Sequence, residues 1–310
     1  MLEDESGRLR LIGQPLRNEM LVTGCIVAVM GTENANGDFE VVDIKFPELP
    51  AQLERWHTAG GSATNGKSRK KIKLDDEDED MEKPDPSSGK KIAIVSGLNI
   101  SGTDADHSLE LDLLSEYLLG DALSSSAQES TSHISRLIIA GNSIAPDNEA
   151  LQVHDAGSGT KKAAHKKYGY DSSAYNPAPT AHLDDFLASL LPSMPVTLIP
   201  GQHDPANVSL PQQPVHGAMF PHARMYGHIP PAEGEEAQPG WFDAVTNPWE
   251  GEVEGWKFLG TGGQNVDDVF KYVESEDRLG MMESMCRWRV VAPTAPDTLC
   301  ELSALLVATL

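Results

Sequence analysis

The sequence predicts an α/β layer domain preceded by a small β unit, and three observations carry that prediction. Residues 92–95 and 137–140 are short continuous apolar runs and residues 196–199 a third, interrupted only by Thr197, each ending at a glycine-containing turn, as buried parallel strands do. Apolar residues at helical spacing lie between these runs, which gives the alternation of an α/β fold. The amino-terminal stretch instead holds two β-branched runs around an Asn-Gly turn.

In that first region, residues 20–29 and 39–46 read as strands, and residues 34–38 supply the turn between them. Asn36-Gly37 suits the positive φ that such a turn needs. A long hairpin within a small barrel is the economical reading. An OB-type barrel is one candidate, and any other antiparallel β unit remains open. This region is assigned to residues 1–58.

Residues 59–90 form a charged linker. A Gly/Ser-rich stretch leads into Lys67, Arg69, Lys70, Lys71 and Lys73, which abut an acidic run from Asp75 to Asp80. Opposed like-charge blocks without apolar residues cannot bury a core, so disorder is expected. The basic block reads as a nuclear localisation signal or a nucleic-acid contact. The alternative is a solvated linker whose blocks neutralise each other.

The α/β domain is assigned to residues 91–299. Leu109, Leu113, Tyr117 and Leu118 follow helical spacing after the first strand. After the second strand, Thr180 is expected to cap a helix whose Leu183, Phe186, Leu187, Leu190 and Leu191 make one apolar face. Pro192 and Pro195 should stop it before the third strand. Residues 151–179, with their Gly, Lys and Pro content, interrupt the rhythm as an exposed insertion. Further on, Asn265 is expected to cap a helix starting at Val266, with Asp267 and Asp268 in its first turn.

Composition narrows the function. Lys plus Arg total 24 against 47 Asp plus Glu, a net charge of -23. Such a surface repels phosphate backbones, so DNA should be met only weakly or through a complex. The three cysteines, Cys25, Cys286 and Cys300, are widely spaced and form no zinc or disulfide pattern. That favours a reducing compartment. No signal peptide and no membrane-spanning run is evident, so no membrane partner is expected.

In open α/β sheets, ligands bind at the carboxyl ends of the strands. Those ends read Ser96-Gly97-Leu98-Asn99, Gly141-Asn142-Ser143 and Gly201-Gln202-His203-Asp204. The third resembles the G-N-H-D/E loop of calcineurin-like metallophosphoesterases. The resemblance would require Asp at Ser96, His at Leu98, a bridging Asp at Asn142, an acid at Ala145 and Asn at Gln202. Two dications about 4 Å apart need a shared anion, and neutral Asn142 supplies none. No catalytic residue, metal ligand or cofactor is therefore assigned. His203 and Asp204 are read as tying down the loop before Pro205. An active metal-dependent phosphoesterase is the alternative.

The blocks around this degenerate site carry a second resemblance. Gly201 to Asn207, Leu210-Pro211-Gln212-Gln213-Pro214-Val215-His216, Met219-Phe220-Pro221, Thr246-Asn247-Pro248, Phe258 to Val266 and Pro293 to Leu299 are similar to the small subunits of DNA polymerase delta. Those belong to the B-subunit family of polymerases alpha, delta and epsilon. Leu21-Val22-Thr23-Gly24 and Asp38-Phe39 resemble the family's OB barrel.

The resemblance implies a partial OB-type barrel on a four-layer, phosphoesterase-like sheet sandwich with helices, inactivated and incomplete at the carboxyl end. It implies a non-catalytic scaffold in nuclear replication and repair. Expected partners are the C-terminal domain of the catalytic subunit and a third, elongated accessory subunit. Leu210, Pro211, Gln212, Gln213 and Pro214 are a candidate interface loop, because a Pro-rich segment has little freedom to lose on binding. The family runs on upstream of Met1 and downstream of Leu299. Residues 300–310 are therefore expected to be a non-family tail, and both ends those of an incomplete or misspliced product. The polymerase alpha and epsilon counterparts are rivals, as is an independent single-strand binder. The last is disfavoured by an aromatic content of only 6%.

Overall fold

The protein is described here by a computed structural model covering residues 1–4, 7–51, 89–102, 108–121, 123–146, 176–227 and 240–299. The basic block at 67–73, most of the 59–90 linker, residues 151–175 and the tail at 300–310 lie outside the described residues. The chain divides into two units: residues 1–53, 207–212 and 263–310 in one, residues 54–206 and 213–262 in the other.

The first unit opens with a short antiparallel hairpin, β1 (Leu2–Asp4) and β2 (Gly7–Leu9). It continues through β3 (Leu11–Ile12), a single helical turn α1 (Pro15–Asn18), β4 (Ala28–Glu33) and β5 (Phe39–Lys45). β5 is central, antiparallel to β4 and parallel to β3. The turn falls where Asn36-Gly37 places it. The Asn34 side chain accepts from the N–H groups of Asn36 at 2.9 Å and Asp38 at 3.0 Å, and Gly37 sits at φ +80°.

The first predicted strand is corrected. Residues 20–27 are not strand, and β4 begins only at Ala28. Gly24 takes φ +87° and lies so close to the Pro293 carbonyl that a Cβ would stand 1.9 Å from its oxygen. The Cys25 N–H closes a turn on the Val22 carbonyl at 3.3 Å. β-branched content wrote strand here, and packing against a distant loop made a turn.

The second unit is built on a parallel sheet. β6 (Lys91–Val95), β7 (Ile134–Ala140), β8 (Val196–Ile199) and β9 (Phe242–Ala244) lie side by side in that order, all parallel. β7 and β8 are central and β8 is buried throughout, which is why residues 137–140 and, apart from Thr197, 196–199 read as apolar. Helices α2 (Ser108–Leu119), α3 (Ser125–Ser132) and α4 (Ala178–Leu190) connect the strands. A separate hairpin, β10 (Trp249–Val253) with β11 (Trp256–Gly260), completes the unit.

The predicted face of α4 is buried as a set: Leu183, Phe186, Leu187, Leu190 and Leu191 join the main core with Leu137, Ile139, Val196 and Leu198. Its start is corrected. Thr180 lies inside the first turn and is buried, while the helix begins at Ala178 with Pro at its head. Asn176 Oδ1, 3.1 Å from the Ala178 N–H, accepts that early amide instead. Proline's fixed φ suits a first turn, so Pro177-Ala178-Pro179 opens the helix rather than closing the insertion.

α2 forms where the spacing predicts, with its polarity reversed. Leu118 is buried, but Leu109, Leu113 and Tyr117 are 65%, 55% and 51% exposed. Leu111, Leu114 and Leu119 pack on the core in their place.

Three short helices return to the first unit: α5 (Gln264–Phe270), α6 (Arg278–Trp288) and α7 (Ala295–Thr298). Their core is Val269, Met281, Met285 and Trp288 with Val22, against which Met20, Cys25 and Phe46 pack. Residues 263–299 thus pack with the amino-terminal 53, although in sequence they follow the second unit.

Candidate functional site

Parallel pairing of β6, β7 and β8 brings their three carboxyl-end loops together. Ser96 Oγ donates to the Ala140 carbonyl at 2.7 Å, the Gly97 N–H to Gly141 O at 3.1 Å, and the Asn99 N–H to Asn142 O at 3.2 Å. The pairing continues past the strands as a parallel bridge between Ile100 and Ile144. Asn99 and Asn142 both hold left-handed backbone, φ +47° and +52°. Asparagine tolerates that region better than other non-glycine residues.

Asp204 ties the third loop to the second. Its Oδ2 accepts from the Gly201 N–H at 2.7 Å and its Oδ1 from the Ile144 N–H at 3.0 Å. Burial pushes this carboxyl up from the ordinary value of 3.8, and the backbone N–H groups offset only part of that push. Asn142 Oδ1 stands 3.4 Å from the His203 N–H. Asn247 adds a further brace, donating to Pro200 O at 3.1 Å and accepting from the Gly262 N–H at 3.1 Å.

Two metal ions do not fit these residues. Leu98 carries no donor atom, and Ala145 carries no side-chain ligand. Asn142 is neutral and faces an N–H, and both oxygens of Asp204 already accept backbone donors. Ser96 is spent on a carbonyl, while Gln202 and His203 are exposed at the loop surface. No group of three or more His, Cys, Asp or Glu side chains among the described residues is arranged to hold a metal.

The candidate interface loop is split in its exposure. Leu210 and Gln212 point inward, Leu210 donating its N–H to Leu299 O at 3.0 Å. Gln212, 1% exposed, donates to Asn207 O at 2.8 Å and accepts from Gln264 Nε2 at 2.9 Å. Pro211 and Gln213 are exposed and Pro214 half-buried. Gln213 and Pro214 line a cleft of about 480 Å³ with His216, Arg224, Phe242 and Asp243. Sequence reasoning missed this cleft, because β9, which forms one wall, is only 3 residues long.

It also missed the polar centre of the first unit. Asp268, buried, accepts from the hydroxyls of Thr294 and Thr298 and from Lys271 Nζ at 3.1 Å. Burial alone would raise this carboxyl, but the hydrogen bonds from Thr294, Thr298 and Lys271 outweigh it and hold it below 3.8. Asn265 is corrected at the same place. Gly263, at φ +95°, precedes the first turn of α5, and Asn265 is a buried helical residue donating to Val291 O at 2.7 Å. These bonds join α5 to the block at 291–298. An acid one turn beyond a glycine-rich stretch was the only sequence signal.

Comparison with known proteins covers most of the chain. The family model for the B-subunit of DNA polymerase alpha/epsilon matches residues 92–309, which runs past the boundary at 299 drawn from sequence. A model for the DNA polymerase delta subunit OB-fold domain matches residues 1–44. The DNA polymerase delta small subunit of Oryza sativa subsp. japonica is 32% identical over 299 residues, covering 96% of this chain and 57% of the relative. Those of Arabidopsis thaliana and Saccharomyces cerevisiae are 31% and 30% identical, each over 96% of this chain and 56% and 55% of their own lengths. The chain spans a little more than half the length of these curated relatives.

Proposed function

The chain belongs to the B-subunit family of DNA polymerases alpha and epsilon, and from that premise we propose that it is a non-catalytic scaffolding subunit of DNA polymerase delta. In this reading its second unit is a phosphoesterase-like sandwich stripped of metal chemistry, and its first unit carries the OB barrel. It bridges the C-terminal domain of the catalytic subunit and a third accessory subunit, meets DNA only through the complex, and works in the nucleus. Pro211, Gln213 and Pro214 are the exposed part of the proposed interface loop.

The observation that carries this reading is the wiring of the strand ends. Where a phosphoesterase would place a bridging carboxylate and histidines around metal, this chain places Asn142, Leu98 and a fully bonded Asp204. Those loops are braced by hydrogen bonds, and a braced loop cluster without metal ligands suits a docking body rather than a turnover site.

Co-expression with the polymerase delta catalytic subunit tests it. A stable complex by gel filtration, without manganese, zinc or iron and without phosphatase activity, is expected. Failure to assemble, or two metals per chain lost on replacing His203 and Asp204, overturns the proposal. For localisation, alanine at Arg69, Lys70 and Lys71 in a tagged fusion of the linker should reduce nuclear accumulation. Unchanged accumulation removes that role.

A further inference from the structure

We infer that the outer face of α2 is a docking site for a basic amphipathic helix of another subunit; naming a polymerase subunit as its source rests on the function proposed above. Leu109, Leu113 and Tyr117 stand four residues apart on successive turns, so they form one continuous stripe about 12 Å long. All three are more than half exposed, although the same helix buries Leu118 and packs Leu111, Leu114 and Leu119 on the core. The helix therefore has two apolar faces, and only one is satisfied within the described residues. An apolar stripe of this kind on a charged surface marks an interaction site.

Charge selects the occupant. The stripe is flanked by Glu110 on one side and by Asp112 and Glu116 on the other, and α2 contains no Lys or Arg. No ion pair to these three carboxylates is formed among the described residues. A second copy of this chain would lay carboxylates against carboxylates. Nucleic acid and anionic lipid would be repelled by the same groups. A helix with an apolar seam and flanking Lys or Arg satisfies both features at once, its leucines packing between Leu109, Leu113 and Tyr117. The length of the stripe, about two helical turns, matches a helix crossing rather than an extended strand.

Two measurements test this and separate it from the function proposed above. In the first, the full chain carries a photo-crosslinking amino acid at Leu113 and is co-expressed with the catalytic and third subunits of polymerase delta. Crosslinking to a Lys/Arg-rich helical segment of either subunit is expected. A complex that assembles without that crosslink, or crosslinks a second copy or a segment lacking basic residues, overturns the inference and leaves the proposed function standing. Failure of the unmodified chain to assemble counts against the proposed function and against the polymerase source.

The second measurement needs no polymerase subunit. A labelled synthetic helix of Leu seam and Lys flanks is titrated onto the full chain by fluorescence anisotropy, beside the same helix with Glu flanks. The Lys helix should bind, and Leu113→Asp and Glu116→Lys should each weaken it by about tenfold or more. An unchanged melting curve for each variant confirms folding. Equal binding of both helices, or binding insensitive to Leu113→Asp, shows that this face is no such site.

Discussion

Asp204 and Asp268 are buried to nearly the same degree, 5% and 1% exposed, one in each unit. Burial pushes both carboxyls towards the neutral form, yet they end on opposite sides of the ordinary value. Asp204 meets only backbone N–H groups, and these do not offset its desolvation. Asp268 meets two hydroxyls and an ammonium, and these do. The difference teaches that burial alone does not set the direction of a shift: two hydroxyls and an ammonium outweigh it at Asp268, where backbone N–H groups do not at Asp204. It also warns against reading a buried, raised carboxyl at a strand end as catalytic, since Asp204 holds two loops together.

The strongest way to break this comparison is Asp268→Ala. It leaves the buried Thr294 hydroxyl without its acceptor and frees Lys271, so a loss of about 3 kcal/mol is expected in urea unfolding. Asp204→Asn keeps one acceptor oxygen and sets an amide against the other N–H, and a loss of about 1–2 kcal/mol is expected by the same method. Equal losses would erase the distinction drawn between them.

Their pH dependences should run in opposite directions. Asp268 is depressed, so its contribution is full above the ordinary 3.8 and is lost as pH falls through the lower folded value. Asp204 is raised, so its folded state gains relative stability at acid pH. That gain is lost as pH rises from 3.8 through the higher folded value. Because many other carboxylates titrate here, the measurement is the difference in stability between wild type and each Asn variant. That difference should rise with pH for Asp268→Asn below 3.8 and fall with pH for Asp204→Asn above it.

Smaller effects sharpen the picture of the loops. Asn142→Ala places a methyl-bearing residue at φ +52° and should cost about 1 kcal/mol, whereas Asn142→Gly should cost less. Equal losses for Gly and Ala would mean that the contact to His203, which both variants lack, and not the backbone governs the site. Smallest of all, Leu113→Asp should change thermal stability by no more than about 0.5 kcal/mol, because that side chain is exposed.

Much of the second unit was legible because its signal is local. β6, β7 and β8 each carry a short apolar run, broken in β8 by Thr197, and the face of α4 recurs at i, i+3, i+4 and i+7 over residues that the sheet then buries. The residues at the strand ends were legible too, since Leu98 and Asn142 are identities rather than geometries. β9 escaped because three residues carry no period. The helix caps failed for a related reason: Thr180 and Asn265 have the right chemistry, but Pro179 and Gly263 beside them already set the backbone that starts each helix.

The sequence by itself determined the α/β alternation, the Asn36-Gly37 turn and the net acidity, because each depends on residue identity or on spacing within one element. Tertiary structure alone decided three things. It turned residues 20–27 out of the strand through the approach of Gly24 to Pro293. It joined Asp268 to Thr294 and Thr298 across about thirty residues of chain. It also chose which of two apolar faces of α2 to bury. A hydrophobic period states that a helix has an apolar side; only the neighbouring α4 and the sheet determine which side loses its water, and that leaves Leu109, Leu113 and Tyr117 facing solvent.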